Sequence, residues 1–350
     1  MTMRKRQSVW GLLMMMAVLV IGGCSHDAGV IFPLVKDAPV WPARPDAARI
    51  RYVGELRGSA DLKAAVSGLT QLGNAVFGSG EQAYTFVNPM AVCTDGVSRV
   101  FVADSGDHVI HVMDLDTRKY ARWTPTGRAL IAPVGLAYDS AGRRLLVADS
   151  SAKVVFIFDS DGKFVGELGS GQFKHPCGLA VDPGNGRVFV ADVGAHQVVV
   201  LSPSGQVLRR LGARGDALGQ FNYPTNVAVD HRGRLYVSDS LNFRVQQFTA
   251  DLEPIRQIGK QGDMPGYFAQ PKGIAVDQED HLYVVDSQFE AVQIFDDSGE
   301  LLLNFGEPGQ ARGQFWLPAA VFIDPRNRIW VADSFNHRVQ VFDYLPEVKP

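Results

Sequence analysis

Short apolar runs, each closed by Asp, Gly, Asn or Ser, follow one another from residue 86 to residue 345. The pattern is clearest between Phe268 and Phe315, in GIAVD, LYVVD, AVQIF and LLLNF, with Asp/Gly-rich turns between them. The first two runs are apolar with β-branched residues, and the last two alternate. Runs this short that end in turn chemistry predict strands rather than helices. Four such strands form a small sheet with two apolar faces, which needs neighbours of its own kind to bury both.

The neighbours are in the chain. Pro271 stands six residues before Asp277, and Pro89, Pro133, Pro176, Pro224 and Pro318 stand likewise before Asp95, Asp139, Asp182, Asp230 and Asp324. A second aspartate closes the next strand each time, at Asp104, Asp149, Asp192, Asp239, Asp286 and Asp333. The prolines lie 44, 43, 48, 47 and 47 residues apart. A four-stranded unit with a period in the forties predicts propeller blades. The pattern P-x-G-I-A-V-D, L-Y-V-x-D-S, R-V-Q-x-F resembles the NHL repeat, and the resemblance spans residues 86–345. It implies an all-β, six-bladed β-propeller of four-stranded antiparallel blades. It says less about activity, because related blades serve ligand binding, protein binding and catalysis.

Blade 6 runs out of chain after its third strand, whereas Ile50–Gly54 resembles fourth strands such as Leu302–Gly306 and Ile255–Gly259. An N-terminal strand that completes the last blade would close the ring and pair an exposed edge. The propeller is therefore expected over residues 49–345, with a short tail at 346–350.

Arg4, Lys5 and Arg6 precede the apolar run Trp10–Ile21, which is short for a membrane span. The run ends in Ile-Gly-Gly-Cys24, which resembles a bacterial lipobox. That resemblance implies a signal peptide over 1–23, lipid on Cys24 and, with Ser25 following, an outer-membrane anchor facing the periplasm. Residues 24–48, with Pro33, Pro39, Pro42 and Pro45, read as a semi-extended tether. In residues 57–85, Leu62, Val66, Leu69, Leu72 and Val76 recur at helical spacing, with Ser59 or Asp61 as N-cap. That predicts a short helix packed on the propeller.

The net charge of −3 and the lack of any basic block beyond the leader argue against nucleic acid. Cys93 and Cys177 fall in blades 1 and 3, which are not adjacent, so both read as free thiols.

Residues present in every blade serve every blade, so function is sought where blades differ. They differ at the residues flanking each proline and at the hairpin between second and third strands, all on one face around the channel mouth. His175, Tyr223, Gln270 and Lys272 flank their prolines, and Asn226 replaces a glycine. Phe289 and Phe335 sit on hairpins with Trp316 nearby, so blades 4–6 form an aromatic, partly cationic sector. This points to a monomeric binding module for an envelope protein, peptide or glycan, with no cofactor. The alternative is a metal-dependent lyase or lactonase using His175, Asn226 and Lys272. Related blades, such as those of the peptidylglycine amidating lyase, hold zinc at the channel, and three protein ligands are needed there. At the mouth this chain offers one histidine. It has no G-x-S-x-G elbow and no phosphate-cradling loop.

Overall fold

The structure, a computed structural model, describes residues 30–43, 45–63 and 83–346. The leader, Cys24 and most of the expected helix, including Val66, Leu69, Leu72 and Val76, lie outside the described residues.

Six antiparallel sheets are arranged as blades. Blade 5 shows the unit: Pro271–Val276, Leu282–Asp286, Ala291–Phe295 and Leu301–Phe305. The sixth sheet is completed from the other end of the chain. Its order is Val40–Trp41, Ile50–Leu56, Arg338–Tyr344, Arg328–Asp333, Ala320–Ile323. Ile50 faces Tyr344 and Leu56 faces Val339, which joins the two ends of the fold by hydrogen bonds.

The core lies between blades rather than inside them, because each sheet presents an apolar face to its neighbour. Phe101 and Trp123 of blade 1 meet Phe156 and Phe158 of blade 2, while Tyr236 and Val245 of blade 4 meet Phe268 and Phe295 on the blade 5 side. Burying each such ring stabilises by roughly 1.5–3 kcal/mol. Near the axis the inner strands touch backbone to backbone. A Cβ added to Gly178 would lie 2.4 Å from the Asn226 Cα, so blade 3 has no room for a side chain there.

The proline-rich segment differs from a free tether. Phe32 packs edge-on against Trp330 at 6.1 Å with the Arg328 guanidinium over its ring, and Trp41 lies 5.8 Å from Phe305 and 5.9 Å from Phe342. Its aromatic residues fill gaps at the edge of blade 6, and that burial outweighs the freedom its prolines leave. Residues Ser59–Leu62 form a single 3-10 turn. Asp61 accepts hydrogen bonds from the N–H groups of Arg57 (2.5 Å) and Gly58 (2.8 Å), and Leu62 is buried between blades 6 and 1.

Candidate binding face

The face around the channel mouth is built on the six strand-closing aspartates. Asp104 is fully buried and accepts from the N–H groups of Val87 (2.6 Å), Asn88 (2.9 Å), Gly106 (2.9 Å) and Asp107 (3.0 Å). One carboxylate thus holds both the hairpin that follows and the lead-in to its own blade. Asp149, Asp192, Asp239, Asp286 and Asp333 repeat the bond to the lead-in. The partners some 17 residues upstream have no local signal in the sequence. Burial by itself would raise the Asp104 carboxyl. The hydrogen bonds from His111 and the backbone outweigh it and hold the group at about 2.

Each hairpin then reaches the next blade. His108, Lys153, His196, Phe243, Glu290 and His337 occupy one repeated position, all left-handed with φ between 53° and 59°. His108 Nδ1 lies 2.7 Å from the Ile131 carbonyl, and the Tyr223 N–H donates to His196 Nδ1 at 3.3 Å. Leu317 N–H donates to Glu290 at 3.1 Å. The hairpin histidines therefore serve as links between blades.

The residues chosen before the prolines are on this face as expected: the carbonyls of His175, Tyr223 and Gln270 accept from Val193, Ser240 and Ser287 of their own hairpins. His175 is exposed, Gln270 half-buried, and Tyr223 meets His196 edge-on at 5.0 Å. Trp316 (42 % exposed) and Phe335 (49 %) touch each other with centroids 5.8 Å apart. Phe289 is half-buried and outside that pair, and Phe243 packs into the core between blades 4 and 5. Two separate aromatic pairs, not one continuous sector, stand on blades 3–6. Exposed apolar side chains also continue onto blades 1 and 2 through Val87 and Ile131, which lie, like Trp316, two residues before a proline. The position is marked in the sequence by its spacing from the proline, but the exposure of its side chain is not.

Below the mouth is a channel cavity of about 210 Å³, lined mainly by Ala, Val, Leu and Ile, with Tyr138, Phe322 and Asn226 among them. Asn226 reaches into it and accepts from the Val227 N–H at 2.8 Å. Lys272 is half-buried at the mouth. Burial lowers its pKa against the opposing pull of Asp286, and the Thr225 hydroxyl lies 3.5 Å from its carbonyl oxygen. Cys177 is half-buried beside Ser150, and burial pushes its thiol up to about 11; Cys93 is buried, and both thiols are free. Among the described residues no three His, Cys, Asp or Glu side chains gather to hold a metal. His175, Asn226 and Lys272 come from three different blades, and the donor set for zinc is not assembled at the mouth.

The NHL repeat model matches residues 221–248 and 315–342, the first three strands of blade 4 and their counterparts in blade 6. The chain is a six-bladed propeller that carries NHL repeats in blades 4 and 6. The region described as SMP-30/Gluconolactonase/LRE-like also matches, over residues 112–217. No curated protein matches the chain. Among solved structures, the propeller is similar to virginiamycin B lyase from Staphylococcus aureus, at 14% identity over 74% of this chain and 96% of that one, TM-score 0.56. An auxiliary nutrient binding protein from Bacteroides thetaiotaomicron matches at 13% identity over 74% of this chain and 69% of that one, TM-score 0.59. A chain of the nidogen/laminin complex matches at 20% identity over 65% and 84%, TM-score 0.52. At such identities the likeness establishes the fold alone.

Proposed function

We propose that this NHL propeller is a lipid-anchored binding protein of the cell envelope whose channel face takes a protein, peptide or glycan. The observation that carries the reading is the Trp316–Phe335 pair, two large rings left nearly half exposed on a rim that buried carboxylates fix in place. Aromatic anchors on a rigid frame lose little entropy when covered, and they dominate the energetics of binding surfaces. Neighbours in the same fold described as nutrient binding, or seen in complex with laminin, are in keeping with a binding role.

The test is photo-crosslinking from the channel face in intact cells. The double variant Trp316→Ser/Phe335→Ser is expected to lose capture of the partner about tenfold or more, as hot-spot truncation does, with an unchanged melting curve. Undiminished capture by a folded variant would move the site elsewhere.

One observation favours a second reading. Lys272 is a half-buried amine with lowered basicity at the channel mouth, on the inner strand next to the one that carries Asn226, and such an amine suits a lyase or lactonase site. Its discriminating measurement is the metal content of the purified protein.

A further inference from the structure

The described chain begins at Val30, on the face opposite the channel mouth. The strand Arg328–Asp333 defines the two sides. Asp333 at one end holds the Trp316 lead-in, and Arg328 at the other lines a groove of about 960 Å³ between blades 6 and 1, under the N-terminal segment. Four arginines line this groove, Arg51, Arg118, Arg326 and Arg328, against two acids, Asp116 and Asp343. Arg51 and Arg328 share Asp343, at 3.0 and 3.1 Å. This is a local excess of positive charge on a chain whose net charge is −3. At its edge Val30 is 73% exposed and Leu34 93% exposed, more than any large apolar side chain on the channel face. Apolar knobs flanked by arginines match the boundary between headgroups and acyl chains, where anionic lipid attracts the guanidinium groups.

We propose that this groove rests on the phospholipid headgroups and that the channel mouth is turned away from the bilayer. The proposal rests on the lipid anchor at Cys24 and adds an orientation to it. Phe32 is fixed against Trp330, and it lies eight residues after Cys24. That leash spans at most about 27 Å when fully extended. The six residues from Arg328 to Asp333 already span about 17 Å from groove to channel face. Laying the channel mouth on the membrane would use most of the leash before the path around the rim is counted. The groove side is reached directly.

The experiment uses the full lipidated chain in vesicles of phosphatidylethanolamine and phosphatidylglycerol with brominated acyl chains. An environment-sensitive fluorophore is placed on Leu34→Cys or, on the blade 4 hairpin of the channel face, on Leu241→Cys, each with Cys177→Ser. The Leu34 label is expected to shift to the blue and be quenched roughly twofold or more, as burial about 5–10 Å into the boundary requires. The Leu241 label should show neither change. Flotation of the protein with an unquenched Leu34 label, or equal quenching at both positions, would overturn the orientation while leaving the anchor standing. A Leu34 label shielded from aqueous quencher but untouched by bromolipid would overturn it too, in favour of a protein in the groove. Should the unaltered chain fail to float, or float equally well as Cys24→Ser, the anchor itself is wrong and the orientation goes with it.

Discussion

Asp104 makes the binding face both rigid and sensitive to acid. Its carboxylate has no exposure and at least four N–H donors, so the charged form is favoured in the fold and its pKa falls from 3.8 to about 2. A depressed carboxylate contributes stability that is complete above the unfolded value and is lost as pH falls through the folded one. Asp95, Asp114 and Asp277 are shifted in the same direction by their own hydrogen bonds. Equilibrium unfolding in urea should therefore show stability falling between about pH 4 and pH 2, with Asp104 contributing about 2–3 kcal/mol of the loss. Asp104→Asn should remove that share of the pH slope, and an unchanged slope would show that the carboxylate is not held as described. The aspartates could be read from their spacing. Their bonds to the lead-in could not, because those depend on two segments meeting across a folded sheet.

At the level of elements, the ring is closed by the strand Ile50–Leu56 and clamped by one buried arginine. Arg338 Nε donates to Asp333 at 2.8 Å, Nη1 to Glu55 of the closing strand at 2.9 Å, and Nη2 to the carbonyls of Ala311 and Gln314 at 2.9 and 2.8 Å. Arg244 repeats the clamp in blade 4, bonding Asp239 and the carbonyls of Ala217 and Gln220. Arg338→Met takes the counter-ion and one donor from the buried Asp333 carboxylate and one donor each from the Ala311 and Gln314 carbonyls, so denaturation should show a loss of about 3–5 kcal/mol. Arg51→Ala, which breaks a more exposed pair to Asp343, should cost no more than about 1 kcal/mol. Equal effects would mean that the ring does not depend on the clamp. The R-V-Q pattern was visible as a repeat, and its Arg and Gln could have been taken for surface residues of an alternating strand. They are buried because loops from the preceding connection fold over them.

At the scale of the whole molecule, the two ends of the channel differ in character. One face carries the aromatic pairs, the half-buried Lys272 and the hairpin links between blades, and the other carries the arginine groove and the emerging N-terminal segment. A binding protein and a channel-centred enzyme make opposite predictions about metal. Purified protein is expected to hold no stoichiometric zinc or calcium by elemental analysis. A stoichiometric metal that disappears in His175→Ala would replace the binding reading with the lyase or lactonase one. The three candidates of that reading lie at the mouth but come from separate blades, and repeat spacing alone carries no information about whether their side chains converge.

The chain by itself determined the number of blades, the four-stranded repeat and the strand that closes the ring, because all three follow from local periodicity and turn chemistry repeated six times; the extra strand Val40–Trp41 on the sixth sheet carries no such signal. Tertiary structure alone decided which residues face solvent at the channel mouth. It separated Trp316 and Phe335 from Phe289, added Val87 and Ile131, and laid Phe32 and Trp41 onto blade 6 where the prolines suggested a free tether. The physical reason is that periodicity fixes the direction of a side chain within its own strand, whereas exposure depends on what the neighbouring blade and a distant segment bring up against it.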